Sequence, residues 1–463
     1  MAEKISSFVR ERADALLPLV RFDRSTYDEY GVRRGLRNPD GTGVMAGLTR
    51  LGNVRGYYIQ DSERVAAPGK LTYRGVDLGE LARGFLSEGR PGYEETAYLL
   101  LFGELPDEKS LEEFCGILAE YRDLPPGFTE DMILAAPSRN VMNKLSRSIL
   151  ALYSYDPEPE TSSGDMVPEL KRALRLIARV PVIAASAYAA KRHYFGGESL
   201  HLRRSMPELR LAENFLHLTR GGAYTPEEAR LLDLCLVLHA EHGGGNNSTF
   251  VCRAVSSSGS DIYSAAAAAV GALKGPKHGG ANESAEDMLE YIGRAAGDRT
   301  DDEALKRCLS KILRMEAGSG DGKIYGMGHA IYTLSDPRAA LLKETARAIA
   351  EKKGMSGELE LIEAVERLTP EVFSASGHTP KTLCANVDLY SGFVYKMLGI
   401  PRDLYAPLFA VARMASLCAH RIEELWGDGW GRGRIIRPAY KAIAPEKKYV
   451  PMRERGEFAV KTL

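Results

Sequence analysis

The stretch Ser264–Leu273, which contains five successive alanines, constrains the fold more than any other segment of the chain. Alanine is the strongest helix former and leaves little side chain between neighbouring backbones, so the run predicts a helix packed closely against other helices. Gly275-Pro276 ends it just before His278. Upstream, Thr225-Pro-Glu-Glu228 has a cap residue, a proline at the first helical position and an acid three residues on. Leu231, Cys235, Leu238 and His242 then share one helical face, predicting a buried stripe whose last member is His242. Amphipathic stretches recur near 108–122, 338–352, 357–368 and 403–426, while alternating strand patterns are scarce, so the predicted fold is mainly α-helical. Tyr153–Val167, rich in Pro, Ser, Asp and Glu, and Ala317–Gly328, with five glycines, read as loops. The second leads into a histidine, as a ligand-wrapping or mobile loop would.

Several function classes are disfavoured by composition. The 463 residues, 44% hydrophobic, can fill a large core in two or three domains. Sixty-one basic and 62 acidic residues leave a net charge of -1, so no global field recruits nucleic acid or an anionic membrane, and an anionic ligand must be bound locally. Cysteines 115, 235, 252, 308, 384 and 418 are scattered without CxxC spacing, which predicts reduced core residues with neither metal nor disulfide. Glu3, Glu11 and Asp14 fit neither a secretory nor a transit peptide. The apolar stretches Val180–Ala190 and Ala265–Leu273 fall short of the roughly 20 residues that span a bilayer. The expectation is a soluble, cytoplasmic protein.

Three histidines stand beside glycine: Glu241-His-Gly-Gly-Gly-Asn246, Gly275-Pro-Lys-His-Gly-Gly-Ala-Asn282 and Gly326-Met-Gly-His-Ala330. Glycine marks sharp bends and close approaches, and imidazole exchanges protons near neutral pH, so His242, His278 and His329 read as site residues. Taken singly, each could be a turn or capping histidine. His193, His201, His217 and His420 are assigned to the surface or a satisfied core, and His239 to either packing or support behind the site.

Further motifs follow in order: Asp336-Pro-Arg338, Asn386-Val-Asp-Leu-Tyr-Ser-Gly392, Phe409-Ala-Val-Ala-Arg413 and Arg437-Pro438. With Leu71-Thr-Tyr-Arg-Gly75 and Tyr98–Pro106, their order and spacing resemble the citrate synthase family over roughly residues 70 to 440. The resemblance implies a large helical domain of residues 1–278 and 388–463, a small inserted domain of residues 279–387, and a cleft between them. It implies that oxaloacetate, acetyl-CoA and water become citrate and coenzyme A, with acetyl-CoA as co-substrate, no permanently bound cofactor and no metal. Asp388 is then the base, His278 holds the thioester oxygen and His329 protonates the oxaloacetate carbonyl. Arg338, Arg413 and Arg437 clamp the carboxylates, Arg437 from the partner of a homodimer, and His242 and Asn246 add contacts. Ile324, Tyr325, Gly326, Met327 and Gly328 form the loop that receives the adenine end of coenzyme A. Lys277, Glu241 and Gly243 depart from the family's usual leucine, aspartate and glutamate.

The residue types suit that chemistry on their own terms. Removing a proton from a methyl group beside a thioester needs a carboxylate base, a donor for the enol oxygen and a second donor for the ketone. Arginine forks hold carboxylates bidentately and stay charged away from water. Asp388 opens an apolar helix, where the dipole would favour its ionised form, though it could equally be an N-cap. Arg338 could be an exposed helix-start residue and Arg413 part of an intrahelical ion pair. Residues 431–463, with nine basic and three acidic side chains, read as a solvated tail or as contacts to coenzyme A phosphates or a partner's cleft. Trp426–Ile436 reads as an extended arm that carries Arg437 to a neighbour. A 2-methylcitrate synthase using propionyl-CoA, a citryl-CoA lyase and a non-catalytic metabolite-binding regulator are the alternatives.

Overall fold

The alanine run forms the helix Ile262–Leu273, capped by Asp261, whose carboxylate accepts from the Ser264 amide at 2.8 Å and its hydroxyl at 2.6 Å. With Ala265, Ala266, Ala267 and Ala269 buried, it packs against the helices Val141–Ala151, Asn247–Ser256 and Tyr405–Trp426. Ser146 reaches its backbone, donating to the Ala267 carbonyl at 2.9 Å, a contact that a bulkier helix surface would obstruct. The computed structural model describes residues 2–61, 63–160, 165–377, 383–427 and 434–455. Among them the fold is mainly α-helical, with one three-stranded antiparallel sheet.

The described chain divides into two compact units. One comprises residues up to Gly47 with those from Arg437 onward, and includes the helices Ala2–Val20 and Arg24–Glu29. The other, Leu48–Ile436, holds the remaining α-helices and the sheet. At the centre of the second runs Tyr405–Trp426, buried on nearly every side, including Arg413, His420 and Arg421. Val167–Gly196 is longer than the apolar segment Val180–Ala190 indicates: its 30 residues are long and apolar enough to cross a membrane by length and composition, yet 61% of its most apolar window is buried inside the protein. Of the segment Tyr153–Val167, residues 161–164 lie outside the described residues, as do 428–433 of the arm leading to Arg437 and 456–463 of the tail. All six cysteines are buried and unpaired.

Two sequence expectations need correction here. Pro226–His239 starts with the predicted capping box of Thr225 and Glu228 but stops at His239, so His242 lies beyond the helix rather than on its stripe. The sheet, at Gly52–Gln60, Glu63–Tyr73 and Val76–Asp77, left little apolar alternation because most of its inward positions are only half-buried and just Gly56, Leu71 and Tyr73 are buried. Its hairpin lies against Ile331–Ser335: a Cβ at Gly56 would stand 2.5 Å from the Ile331 carbonyl oxygen, and one at Gly69 would stand 2.0 Å from that of Ser335. Thr333 Oγ1 donates to Gly56 O at 3.3 Å and Gly69 N to Ser335 Oγ at 3.0 Å, joining the two segments.

Gly69→Ala therefore forces backbone apart, with an expected loss of about 1–3 kcal/mol in urea unfolding. Gly116→Ala, on an exposed helical face with nothing near the added methyl, is expected to gain about 0.5–1 kcal/mol. Equal midpoints for the two variants would contradict this packing.

Candidate active site

After His239 the chain turns through Ala240 to Gly243, which has φ +82°. Glu241 is fully buried; its Oε1 accepts the Gly243 amide at 2.5 Å, and both oxygens lie 3.1 Å from His420 Nε2. Burial pushes this carboxyl up, but His420, Arg413 and the Gly243 amide outweigh it and bring the pKa to about 2. The turn presents His242, whose Nε2 is buried without a hydrogen-bond partner. His239 is also buried, and its Nδ1 donates to the Cys235 carbonyl at 2.7 Å. Burial lowers the His239 pKa to about 3 and, with the charge of Arg338, holds His242 well below its ordinary value, so both rings are neutral.

His329 packs edge-on to His242, with ring centroids 5.1 Å apart, and stacks on Tyr332 at 4.5 Å and 26°. Its Nδ1 lies 3.1 Å from the amides of both Ile331 and Tyr332. Amides only donate, so this nitrogen accepts and the ring proton sits on Nε2. The loop before His329 is tied to the segment that carries Asp388. Asn386 N donates to Gly326 O, Asn386 Nδ2 to Gly328 O and Gly328 N to Cys384 O, each at 2.8 Å. Gly326 and Gly328 both have positive φ, and a Cβ on Gly326 would stand 2.6 Å from Leu389 Cβ. Of the other loop residues, Ile324 is buried, Met327 pairs with Ala385 in a β-bridge, and Tyr325 donates to Asp321 at 2.7 Å.

Asp388 is not the N-cap. Asn386 is, accepting from the Asp388 amide at 2.9 Å. Nor does the helix N-terminus keep Asp388 acidic: burial raises its pKa to about 6 against the pull of Arg338. Among the described residues its carboxylate has no hydrogen-bond partner. A carboxylate poised in this way is suited to accept a proton.

His278 lies with Ser248, whose Oγ is 3.1 Å and amide 3.4 Å from Nε2. The amide makes Nε2 an acceptor and puts the ring proton on Nδ1. Ser248 Oγ also lies 2.9 Å from Asn246 Oδ1, so its single proton can serve either Asn246 or this histidine. Burial and the field of Arg413 lower the His278 pKa to about 4. Phe409 sits edge-on to His278 at 5.9 Å and to His239 at 5.0 Å, with the Arg413 guanidinium 4.9 Å from its ring centre.

Arg413 is fully buried, and its Nε donates to the His239 carbonyl at 2.9 Å while Nη1 and Nη2 have no partner among the described residues. It forms no intrahelical ion pair. Arg338 is neither exposed nor wholly available: Nε and Nη2 bond both oxygens of Asp336 at 3.0 and 2.7 Å. Burial would lower its pKa, but the Asp336 carboxylate holds it above the usual value. Arg437 is exposed and belongs to the other compact unit. Sequence reasoning gave no role to Ser248, Tyr332, Asp336 or Phe409, although the last two open the arginine motifs Asp336-Pro-Arg338 and Phe409-Ala-Val-Ala-Arg413.

The sequence profile described as citrate synthase, C-terminal domain, matches residues 41–439. The chain is 36% identical to a citrate synthase of Deinococcus radiodurans over 84% of its own length and 93% of that protein's. It is 31% identical to a 2-methylcitrate synthase of Shewanella oneidensis, over 83% and 92%. It superposes with TM-score 0.73 and 26% identity on the citrate synthase of Thermoplasma acidophilum solved with carboxymethyl coenzyme A and oxaloacetate, covering 91% of this chain and 99% of that one. The chain belongs to the citrate synthase family, a family of acyltransferases.

Arg413→Met removes a charge that has no ion-pair partner among the described residues. The ligand-free unfolding free energy is expected to fall by no more than about 1 kcal/mol, against roughly 3–5 for breaking a satisfied buried pair. Stabilisation by a dicarboxylate ligand in thermal melts should disappear. A large loss of intrinsic stability would mean that the guanidinium is paired in solution.

Proposed function

We propose that this chain condenses oxaloacetate, acetyl-CoA and water to citrate and free coenzyme A. The observation that carries the reading is the buried fork of Arg413, both of whose terminal nitrogens lack a partner among the described residues, beside neutral imidazoles: the fork can take a carboxylate and the imidazoles can supply neutral donors. In the proposed sequence Arg413 and Arg338 hold the oxaloacetate carboxylates, with His242 and Asn246 as further contacts. Asp388 takes a methyl proton from acetyl-CoA while His278 donates through Nδ1 to the thioester oxygen. The enol carbon attacks the ketone carbon, and the ketone oxygen takes its proton from His329 Nε2. Water then cleaves the citryl thioester and releases coenzyme A. The loop Ile324–Gly328 is assigned to the adenine end of coenzyme A, and the chemistry calls for no resident cofactor.

The proposal extends to a small domain of residues 279–387 that closes on oxaloacetate, and to a cytoplasmic homodimer in which Arg437 serves the partner's site. An exposed arginine on a separate unit is consistent with such a reach. A preference for propionyl-CoA is the second reading, supported by the 2-methylcitrate synthase relative. One methylene is worth only about 1–3 kcal/mol in a pocket, so initial rates with the two thioesters at matched oxaloacetate decide it.

Asp388→Asn is expected to lower kcat by at least about a thousandfold while oxaloacetate still binds, since an amide cannot take the proton. Retention of a tenth of wild-type kcat would refute the assignment. The pH profile follows from the same residue. With its pKa raised to about 6, Asp388 is ionised above that pH and protonated below it, so kcat/KM falls as pH drops through about 6. His278 and His242, already neutral there, add no limb. An acid limb near pH 4 would point to a different base.

Arg437→Ala and Asp388→Asn chains, each inactive, should on random reassociation restore about a quarter of wild-type sites, because half the dimers are mixed and each has one intact site. A mixture that stays inactive although its chains exchange would place Arg437 outside the partner's site.

A further inference from the structure

Tyr332 is the least explained side chain of the site. It is 1% exposed, and its hydroxyl is buried with no hydrogen-bond partner among the described residues. The ring stacks flat on His329, meets His242 edge-on with centroids 5.7 Å apart, and lies with its centre 5.9 Å from the Arg338 guanidinium carbon. It is held from behind by the hairpin, since a Cβ on Gly69 would stand 2.8 Å from Tyr332 Cδ1. A phenol is ordinarily paired when buried, and stranding one costs about 1–3 kcal/mol. Packing alone would be served by phenylalanine.

Arg338 supplies the complementary deficit. Two of its nitrogens, Nε and Nη2, are committed to Asp336, and Nη1 makes no hydrogen bond among the described residues. Such an arginine grips a carboxylate with one nitrogen only, so the second carboxylate oxygen needs another donor. The Arg338 guanidinium is thus the cation nearest the Tyr332 ring face, 5.9 Å from its centre, and Arg338 and Asp336 are the charges that act most strongly on the Tyr332 hydroxyl.

We propose that Tyr332 is a substrate-binding residue of the keto-acid subsite, its hydroxyl donating to the carboxylate that Arg338 holds through Nη1. This rests on the oxaloacetate reading above. The selectivity that follows is for a ligand with carboxylate at this end, because an ester or amide lacks the charged oxygen that satisfies both donors.

The test is Tyr332→Phe, which keeps the ring on His329 and removes only the hydroxyl. Wild-type turnover and oxaloacetate binding are measured first; failure there counts against the oxaloacetate reading itself. With an active wild type, the variant should melt at the same temperature as wild type or higher without ligand, since the lost hydroxyl had no partner. Its KM for oxaloacetate should rise about tenfold, the low end for a hydrogen bond to a charged acceptor, with kcat and the acyl-CoA KM within about twofold. Oxaloacetate titrated calorimetrically should show the same loss of affinity. An unchanged oxaloacetate KM overturns the proposal. So does a fall in kcat alone, which would make Tyr332 a support for His329, or a drop in ligand-free stability, which would reveal a structural partner for the hydroxyl.

Discussion

A buried guanidinium whose one hydrogen bond among the described residues goes to a peptide carbonyl sets the character of this site. Burial lowers the pKa of Arg413, yet the residue remains a cation, and its field helps hold His239, His242 and His278 in their neutral forms. A neutral imidazole can donate a proton-bearing nitrogen without adding positive charge that would oppose ligand desolvation. The scaffold bears the cost. Tyr93 donates to the carbonyls of Val411 and Ala412 at 3.0 and 3.1 Å, fixing the helix beside Arg413, and Arg421 one face further on is anchored to Glu169. An electrostatically poor arrangement is thus maintained by packing.

The other constraint is the main-chain stitching between the loop before His329 and the start of the helix bearing Asp388. Three hydrogen bonds through Gly326, Gly328, Cys384 and Asn386 leave these two groups little freedom to drift apart. Glycine is required here because a methyl on Gly326 would occupy the space of Leu389. Asn386 caps the helix, which frees Asp388 from capping and leaves its carboxylate unpartnered. A helix N-terminus offers an acid only about 0.3–1 kcal/mol, less than desolvation costs this one, so the pKa moves up rather than down.

Much of this was legible in the sequence. Glycine-flanked histidines, the alanine helix and the Thr225 capping box are local signals, and their structures follow from local rules. What escaped depends on contacts distant in sequence. Tyr332 looks like an ordinary aromatic three residues after His329 until its hydroxyl is found stranded, and Ser248 gains meaning only when His278, 30 residues away, returns to it. The hairpin was hidden because Gly56 and Gly69, which weaken a strand pattern, are there for close approach to Ile331–Ser335. His242 was assigned to a helix by spacing, but spacing alone does not reveal that the chain breaks after His239.

The unusual Glu241 has a physical account as well. Its extra methylene, relative to the aspartate that the resemblance leads one to expect, fits because residue 52 is glycine: a Cβ there would stand 2.4 Å from Glu241 Oε1. His420 Nδ1 lies 3.1 Å from Arg253 Nε, which can only donate, so the His420 proton is on Nε2 and points to Glu241. Arg253 in turn pairs with Glu423 and Glu424. Glu241 is an acid whose charge reaches Arg413, and left unpaired it would compete for the open fork. With His420 and the Gly243 amide engaging its oxygens, Glu241 steadies the turn carrying His242 while both terminal nitrogens of Arg413 stay without a partner among the described residues.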